Sequence, residues 1–118
     1  MSPIDNLEAL RVQLAAFAAE RDWEQFHSPK NLAMALAAES GELLEHFQWL
    51  SEAESNALPE STRAEVALEI ADVLLFLVRL ADRLQIDPLA AAAKKLALNA
   101  HKYPVEKARG RATKYDRL

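Results

Sequence analysis

The sequence contains no cysteine and only two glycines, Gly41 and Gly110. Without thiols, it can form neither disulfide bonds nor thiolate metal sites. Two isolated glycines also exclude a Walker loop and a G-x-G-x-x-G turn, because both motifs need several closely spaced glycines. Phosphate chemistry on this chain would therefore have to be organised by side chains or metal ions held on regular elements.

An excess of positive charge and a long apolar run are missing as well. The formal net charge is −4, whereas proteins that bind nucleic acid polymers carry a surplus of Lys and Arg. No uncharged run reaches the length of a membrane span, and the first residues lack the basic and apolar regions of a signal peptide. We therefore expect a cytoplasmic protein that binds neither a nucleic acid polymer nor a membrane.

The residues that are abundant favour helices. Of the 118 residues, 51% are hydrophobic, with many Ala and Leu, and so short a chain supports one core rather than two. We predict a single all-α domain at residues 1–118. Capping signals for helix starts lie at Ser2 or Asp5, at Ser28 before Pro29, and at Asp87 before Pro88. The predicted helices cover about residues 2–22, 28–50, 60–84 and 87–102, with a polar connector at 51–59 and a basic tail at 105–118.

The third predicted helix is apolar on nearly every face. One stripe interrupts this pattern, formed by Glu65, Glu69, Asp72, Phe76, Arg79 and Arg83. A helix that is apolar all round is buried on most sides. Because a chain of this length offers too little cover for it, we expect the helix to pack against another subunit, so that oligomerisation completes a four-helix bundle.

Two pairs of carboxylates lie within apolar helical patterns, Glu39-x-x-Glu42 and Glu69-x-x-Asp72. The i, i+3 spacing places the acids of each pair about 60° apart on one helix face. Glu39 fills the one gap in an apolar stripe, where an unpaired ion is costly to bury. The alternative to a buried site is that all four acids are solvated on exposed helix faces. If the two helices pack together, the four carboxylates converge and can hold a hard cation.

The available ligands favour Mg²⁺ or Mn²⁺ over other metals. Carboxylate oxygens without Cys or paired His suit hard divalent cations rather than zinc. A carboxylate di-iron site requires two Glu-x-x-His motifs on facing helices. The chain has one such spacing, Glu24-x-x-His27, at a helix junction, so iron is not expected.

Other side chains near the acids can complete a ligand site. Trp49 and Phe76 follow the acids by one to two helical turns, about 6–10 Å, and can stack on a base or belong to the core. Lys95 and Asn99 share a face of the fourth helix and can contact phosphates or simply face solvent. His27 can contact a base or be an ordinary loop histidine.

One continuous run and several short motifs extend this pattern. The run is Arg21-Asp22-Trp23-Glu24-Gln25-Phe26-His27, and the motifs are Phe47-Gln-Trp49, Lys95-x-x-x-Asn99, Tyr103-Pro104 and Lys114-Tyr115. Together with the acid pairs, they resemble the MazG-like nucleoside triphosphate pyrophosphohydrolases, in particular their dCTP pyrophosphatase branch. The resemblance implies an all-α MazG-like bundle that assembles as a homotetramer, a dimer of dimers.

The resemblance also implies roles for individual residues. The magnesium ligands would be Glu39, Glu42, Glu69 and Asp72, with Mn²⁺ as a substitute ion. The pocket for base and sugar would contain Trp23, Glu24, Gln25, Phe26, His27, Trp49 and Phe76. Lys95 and Asn99 would contact phosphates.

The implied activity is hydrolysis of a (deoxy)nucleoside triphosphate to the monophosphate and pyrophosphate, with dCTP or a modified cytosine nucleotide as substrate. Glu39 or Glu42 would act as general base. Two residues depart from the branch, since Phe76 stands where a tyrosine is expected and Leu14 where a histidine is expected. The alternatives are a dUTP or broad-specificity enzyme, and a non-catalytic helical interaction or regulatory protein.

Overall fold

Every regular element in residues 2–118, the part of the chain that the computed structural model describes, is helical. The helices are α1 (Leu7–Glu20), α2 (Pro29–Glu45), α3 (Glu52–Ser55), α4 (Glu60–Arg83), α5 (Pro88–Lys102) and α6 (Val105–Ala108). Two short 3₁₀ turns, Glu24–Phe26 and Tyr115–Arg117, precede α2 and follow α6. The prediction of an all-α fold is confirmed.

The predicted caps of α2 and α5 are confirmed, and that of α1 is wrong. Ser28 accepts a hydrogen bond from the Asn31 backbone N–H and Pro29 follows it, while Asp87 caps α5 ahead of Pro88. The cap of α1 is Asn6, whose side chain accepts from the Ala9 N–H at 2.8 Å. Asn and Asp cap helices about equally well, so the sequence did not distinguish Asn6 from its neighbour.

The end of α2 and the connector after it differ from the prediction. The helix ends at Glu45 rather than near Leu50, and residues 46–49 form tighter turns in which the Leu50 N–H donates to the Phe47 carbonyl at 3.0 Å. The connector contains α3, which begins with a capping box between Ser51 and Glu54. A four-residue helix is too short to show apolar periodicity, so only its cap could be read from sequence.

The chain folds into two compact units, one ending at Gln85 and the other spanning Ile86–Leu118. In the first unit, α4 packs most extensively against α2 and also against α1. The buried apolar side chains of this unit are Ala18, Leu32, Val66, Val78 and Ala81. This packing brings the acid pair of α2 next to that of α4. The prediction of a single domain stays a prediction.

In the second unit, the last turn of the chain contacts the end of α5. The rings of Tyr103 and Tyr115 meet edge to face with centroids 6.0 Å apart, and Lys102 Nζ lies 4.8 Å from the centre of the Tyr115 ring. Gly110 adopts a φ of +73°, a left-handed conformation that glycine tolerates without strain. These contacts give the basic tail a defined path within its unit.

The apolar surface of α4 is only partly covered within one chain. Val66, Val78 and Ala81 are buried, but Leu68 is 69% exposed and Ile70 is 53% exposed. Because α1 and α2 cover only part of its circumference, α4 agrees with the expectation that one chain offers too little cover for it. Packing against another subunit stays a prediction. Within residues 2–118, no helix combines the length and hydropathy required of a membrane span.

Candidate metal and nucleotide site

Three carboxylates from two helices meet in the first unit. Glu39 comes from α2, while Glu69 and Asp72 come from successive turns of α4. One carboxylate oxygen of each residue lies within 4.8 Å of the others, and all three side chains are half-buried. Thus the i, i+3 spacing on α4 and the packing of α2 against α4 produce the predicted convergence for these three acids.

The acids of this cluster repel one another and lack cationic partners among the described residues. The Oε2 atoms of Glu39 and Glu69 are buried without any hydrogen-bond partner among the described residues. A hydrogen bond with Glu42 raises the pKa of Glu39 to about 7, and burial and the charges of Glu42, Asp72 and Glu69 act in the same direction. Burial, followed by the charge of Glu42, raises the pKa of Glu69 as well.

Glu42 lies at the rim of the cluster. Its side chain is exposed, yet it is close enough to Glu39 and Glu69 to shift the pKa of both. His46 Nδ1 lies 4.0 Å from Glu65 Oε2, and His46 opposes the rise in the pKa of Glu69. Among residues 2–118, no lysine or arginine forms an ion pair with the two acid pairs, Glu39 and Glu42 on α2 and Glu69 and Asp72 on α4.

The donor set fits a hard divalent cation. Mg²⁺ and Mn²⁺ prefer oxygen ligands, and the converging atoms are all carboxylate oxygens. Two of the three residues also have a buried oxygen without a partner, which is costly unless a proton or a cation compensates it. The cluster therefore has the chemistry of a magnesium-type site.

The segment between α1 and α2 begins with a helix-terminating turn that sets the position of Trp23. The Trp23 N–H donates to the Ala18 carbonyl at 2.9 Å and the Asp22 N–H to the Ala19 carbonyl at 3.1 Å. Asp22 has a φ of 54°, in the left-handed region. This is the hydrogen-bond pattern of a Schellman motif, and it turns the chain sharply so that Trp23 lies next to α1.

Side chains also stabilise the following 3₁₀ turn, Glu24–Phe26. The Gln25 amide donates to both the backbone and the carboxylate of Asp22, at 3.0 and 3.1 Å. The Asn31 amide donates to the Phe26 carbonyl at 3.1 Å. Gln25 is thus used within the segment, whereas the exposed side chains of Glu24 and Phe26 make no such bonds among the described residues.

The Trp23 ring of this segment contacts two other rings. The Trp23 ring meets Phe17 edge to face with centroids 5.7 Å apart, and it meets His27 at 6.3 Å. His27 Nδ1 accepts a hydrogen bond from Arg79 Nε at 3.1 Å. His27 is therefore tied to α4, the helix that also supplies Glu69 and Asp72, and it is more than an ordinary loop histidine.

The remaining predicted residues lie on three other parts of the chain. Trp49 is 86% exposed in the turns after α2 and is not a core residue of this chain, whereas Phe76 is half-buried one turn after Asp72. Lys95 is exposed and Asn99 is half-buried on α5, in the second unit.

Comparison with known proteins identifies the family. Residues 34–118 match the model of the MazG-like family, a stretch that includes all four acids. The chain belongs to the MazG-like family. It is also 49% identical to mouse dCTP pyrophosphatase 1 and 46% identical to the human protein of that name. Each alignment covers 99% of this chain and 70% of the relative.

A solved structure shares the fold of this MazG-like chain. It is the crystal structure of a pyrophosphatase from Archaeoglobus fulgidus DSM 4304, with a TM-score of 0.80 and 40% sequence identity. The match covers 88% of this chain and 97% of the archaeal one. The relatives and this structure support assignment of the MazG-like chain as a nucleoside triphosphate pyrophosphohydrolase.

Sequence reasoning missed one residue of the site region, Arg79. The sequence placed it on the polar stripe of the third helix, but it is only 5% exposed and contacts His27 and Asp82. The available signal was an Arg and an Asp at i, i+3 spacing within the most apolar stretch of the chain. Periodicity alone does not distinguish such an internal pair from a solvated face.

Proposed function

We propose that the protein hydrolyses dCTP or a modified cytosine nucleotide to the monophosphate and pyrophosphate. The observation that carries this proposal is the meeting of three carboxylate oxygens within 4.8 Å, in a MazG-like chain that is 46–49% identical to mammalian dCTP pyrophosphatases. A non-catalytic role would leave the close approach of these mutually repelling acids without a purpose.

We assign the metal-binding role to Glu39, Glu42, Glu69 and Asp72. A bound Mg²⁺, or Mn²⁺ as a substitute, supplies a Lewis acid that offsets phosphate charge and lowers the pKa of a water ligand. The unpartnered oxygens of Glu39 and Glu69 support this assignment. Glu42 approaches from the exposed rim, so its ligation depends on a small side-chain movement that a flexible glutamate can make.

The general base is Glu39 or Glu42, and the placement of the two residues favours Glu42. Glu42 is exposed and lies outside the three-oxygen cluster, so one of its oxygens can accept a proton from water. The deprotonated water would then attack the α-phosphorus, and pyrophosphate would leave. A carboxylate in this role contributes about 10²–10⁴-fold to the rate.

For the nucleotide we assign two groups of contacts. The base and sugar pocket is formed by Trp23, Glu24, Gln25, Phe26, His27, Trp49 and Phe76, and Lys95 and Asn99 contact the phosphates. The fixed position of Trp23 beside Phe17 and His27 supports a stacking surface in this pocket. Phe76 lacks a hydroxyl, so dUTP and broad specificity remain the alternatives that a substrate panel must test.

We also propose that the chain assembles in the cytoplasm as a homotetramer, a dimer of dimers. A groove of about 760 Å³ runs along α1 and is lined mainly by apolar side chains, including Ile4, Leu10, Phe17 and Leu75. Leu68 of α4 adds to the exposed apolar surface. Contiguous exposed apolar surface marks sites where protein chains interact. Sedimentation as a stable monomer at micromolar concentration would contradict the assembly.

The decisive experiment is a panel of canonical and modified nucleotides with Mg²⁺, in which pyrophosphate and orthophosphate are measured separately. We expect pyrophosphate, with the highest kcat/KM for a cytosine nucleotide. Glu42→Gln should abolish turnover, and retention of a tenth of the activity would remove Glu42 from the proposed site. Glu45→Gln, an exposed acid on the same helix, is the matched control. Release of orthophosphate instead would contradict the proposal.

A further inference from the structure

A second set of charged side chains lies apart from the acid cluster. Arg79 of α4 is 5% exposed, and its Nη1 donates to Asp82 Oδ2 at 3.2 Å. Asp82 Oδ1 accepts from Arg11 of α1 at 3.1 Å, and Arg11 also binds Glu8. Asp82 thereby connects α4 to α1, and the four residues form a network of paired charges, which we call the Arg79 network.

The second hydrogen bond of Arg79 is with a residue of the predicted nucleotide pocket. Its Nε donates to His27 Nδ1 at 3.1 Å, and His27 stands at the end of the 3₁₀ turn that follows Trp23. The Schellman motif at Asp22 fixes the start of this segment, and Arg79 fixes its end. The segment is thus held at both ends by groups outside it.

The contact also determines the protonation of the imidazole. A guanidinium can only donate hydrogen bonds, so His27 Nδ1 must accept and the ring proton must reside on Nε2. Burial lowers the pKa of His27, and the charges of Arg79 and Arg83 lower it further, while Glu24 opposes them. A neutral ring with an Nε2–H is the state that this surrounding favours.

The free end of the ring points away from Arg79. Nδ1 and Nε2 lie on different sides of an imidazole, so the Nε2–H is directed away from the guanidinium that holds Nδ1. No hydrogen bond to Nε2 is found among residues 2–118, while the Trp23 ring stands 6.3 Å from the imidazole. An uncharged donor beside an aromatic ring suits an oxygen acceptor on a base, whereas a phosphate would favour a cation.

We propose that Arg79 is a positioning residue that holds His27 as a neutral Nε2–H donor for a carbonyl oxygen of the nucleotide base. This inference rests on the proposed function, because it assigns a role within the same nucleotide site. Arg79 itself does not touch the substrate. Its effect should therefore appear in substrate binding and in the state of the His27 ring, and not in the metal-dependent step.

The tautomer is tested on the unaltered protein by ¹⁵N NMR of the histidine rings at pH 7.5, with His27 assigned by comparison with His27→Asn. We expect the resonance pattern of an Nε2–H tautomer. A charged ring or an Nδ1–H tautomer would overturn the proposal. This readout needs no turnover, so it stays informative even if the proposed hydrolysis fails.

The role is tested by Arg79→Met, with Arg79→Lys as a milder change that keeps the charge and a donor. We expect Arg79→Met to raise KM for the best substrate about tenfold, as for loss of one good hydrogen bond, with kcat within about twofold and a mixed tautomer at His27. Arg79→Lys should recover part of the KM. Arg63→Met, an exposed arginine of the same helix, is the control and should change neither quantity.

Two results would overturn the positioning role. One is an unchanged KM in a folded Arg79→Met protein whose His27 tautomer has become mixed. The other is a fall in kcat for Arg79→Met as large as the rise in KM, with the His27 resonances unchanged. That pattern would indicate a general structural defect. If Arg79→Met does not fold, as judged by circular dichroism, the same criteria apply to Arg79→Lys.

Discussion

The two polar sites of α4 both contain carboxylates, but only one of them pairs its carboxylates with cations. The acid cluster brings Glu39 of α2 next to Glu69 and Asp72, with no cation paired to any of them among the described residues. The Arg79 network, further along the helix, alternates guanidiniums and carboxylates at hydrogen-bond distance. In the acid cluster like charges face one another uncompensated, whereas in the Arg79 network opposite charges are paired and Arg79 Nη2 is the one buried atom without a hydrogen-bond partner among the described residues.

This difference predicts which of the two sites gains stability when a proton or a cation binds to it. A cluster of like charges is stable only when protons or cations compensate it, so bringing Glu39 and Glu69 together costs stability unless a proton or a cation binds there. Paired charges need no such ligand, and they serve instead to hold neighbouring groups in place. We therefore expect opposite responses when a charge is removed from each site.

Among the changes that compare the two sites, the largest effect is expected for Glu39→Gln. Removing this carboxylate should lower kcat by about 10²–10⁴-fold, the range for loss of a general acid–base group, while raising the melting temperature of the metal-free protein. Stability should rise because one of the repelling acids is gone. Kinetics and thermal unfolding measure the two effects, and Glu45→Gln should alter neither. A lower melting temperature for Glu39→Gln would contradict the uncompensated repulsion in the cluster.

Removing an acid from the Arg79 network should have the reverse effect on stability. Asp82→Ala leaves the buried guanidinium of Arg79 without its carboxylate, and we expect a loss of roughly 1–3 kcal/mol in the free energy of unfolding. Urea denaturation measures this loss. Asp116→Ala, an exposed acid in the second unit, serves as the control. Equal stability of the two variants would show that the network is not stabilising.

The pH dependence of stability provides a third comparison. Glu39 has a pKa of about 7 in the folded chain, against an ordinary value of 4.5. Between these values the folded state binds more protons than the unfolded state, so the contribution of Glu39 to the free energy of unfolding decreases as pH rises. The melting temperature of the metal-free protein minus that of Glu39→Gln should therefore fall between pH 5 and pH 8. A rise over this range would contradict the assigned shift.

The smallest effect is expected at the base pocket. Phe76→Tyr adds a hydroxyl one turn after Asp72, where it can bind a base, and we expect the preference for cytosine over uracil nucleotides to increase about 2–10-fold. The measurement is the ratio of kcat/KM for dCTP and dUTP. An unchanged ratio would show that this hydroxyl plays no part in selecting the base.

The sequence predicted the elements whose signals are local. Ser28-Pro29 and Asp87-Pro88 marked two helix starts because capping needs only neighbouring residues. The acid pairs predicted a convergence because i, i+3 spacing and helix packing follow simple geometry. The sequence predicted the same ligand role for Glu42 as for the other three acids. In the structure Glu42 lies at the rim of the cluster. Its outward position depends on the exact rotation of α2 against α4, which the spacing does not determine.

The Arg79–His27 contact was beyond such reasoning. The two residues lie 52 positions apart, and their meeting depends on how the segment after α1 folds onto α4. Asp22 directs that segment through a left-handed turn. A residue other than glycine seldom adopts this conformation, and no pattern in the sequence predicts it here. Contacts of this kind follow from tertiary packing and need coordinates.

Hydrolysis of dCTP in ¹⁸O-labelled water with Mg²⁺, followed by mass spectrometry of both products, tests the central claim most directly. If water attacks the α-phosphorus, the label will appear in the monophosphate and the pyrophosphate will remain unlabelled. Label in the pyrophosphate, or release of labelled orthophosphate, would contradict the proposed reaction.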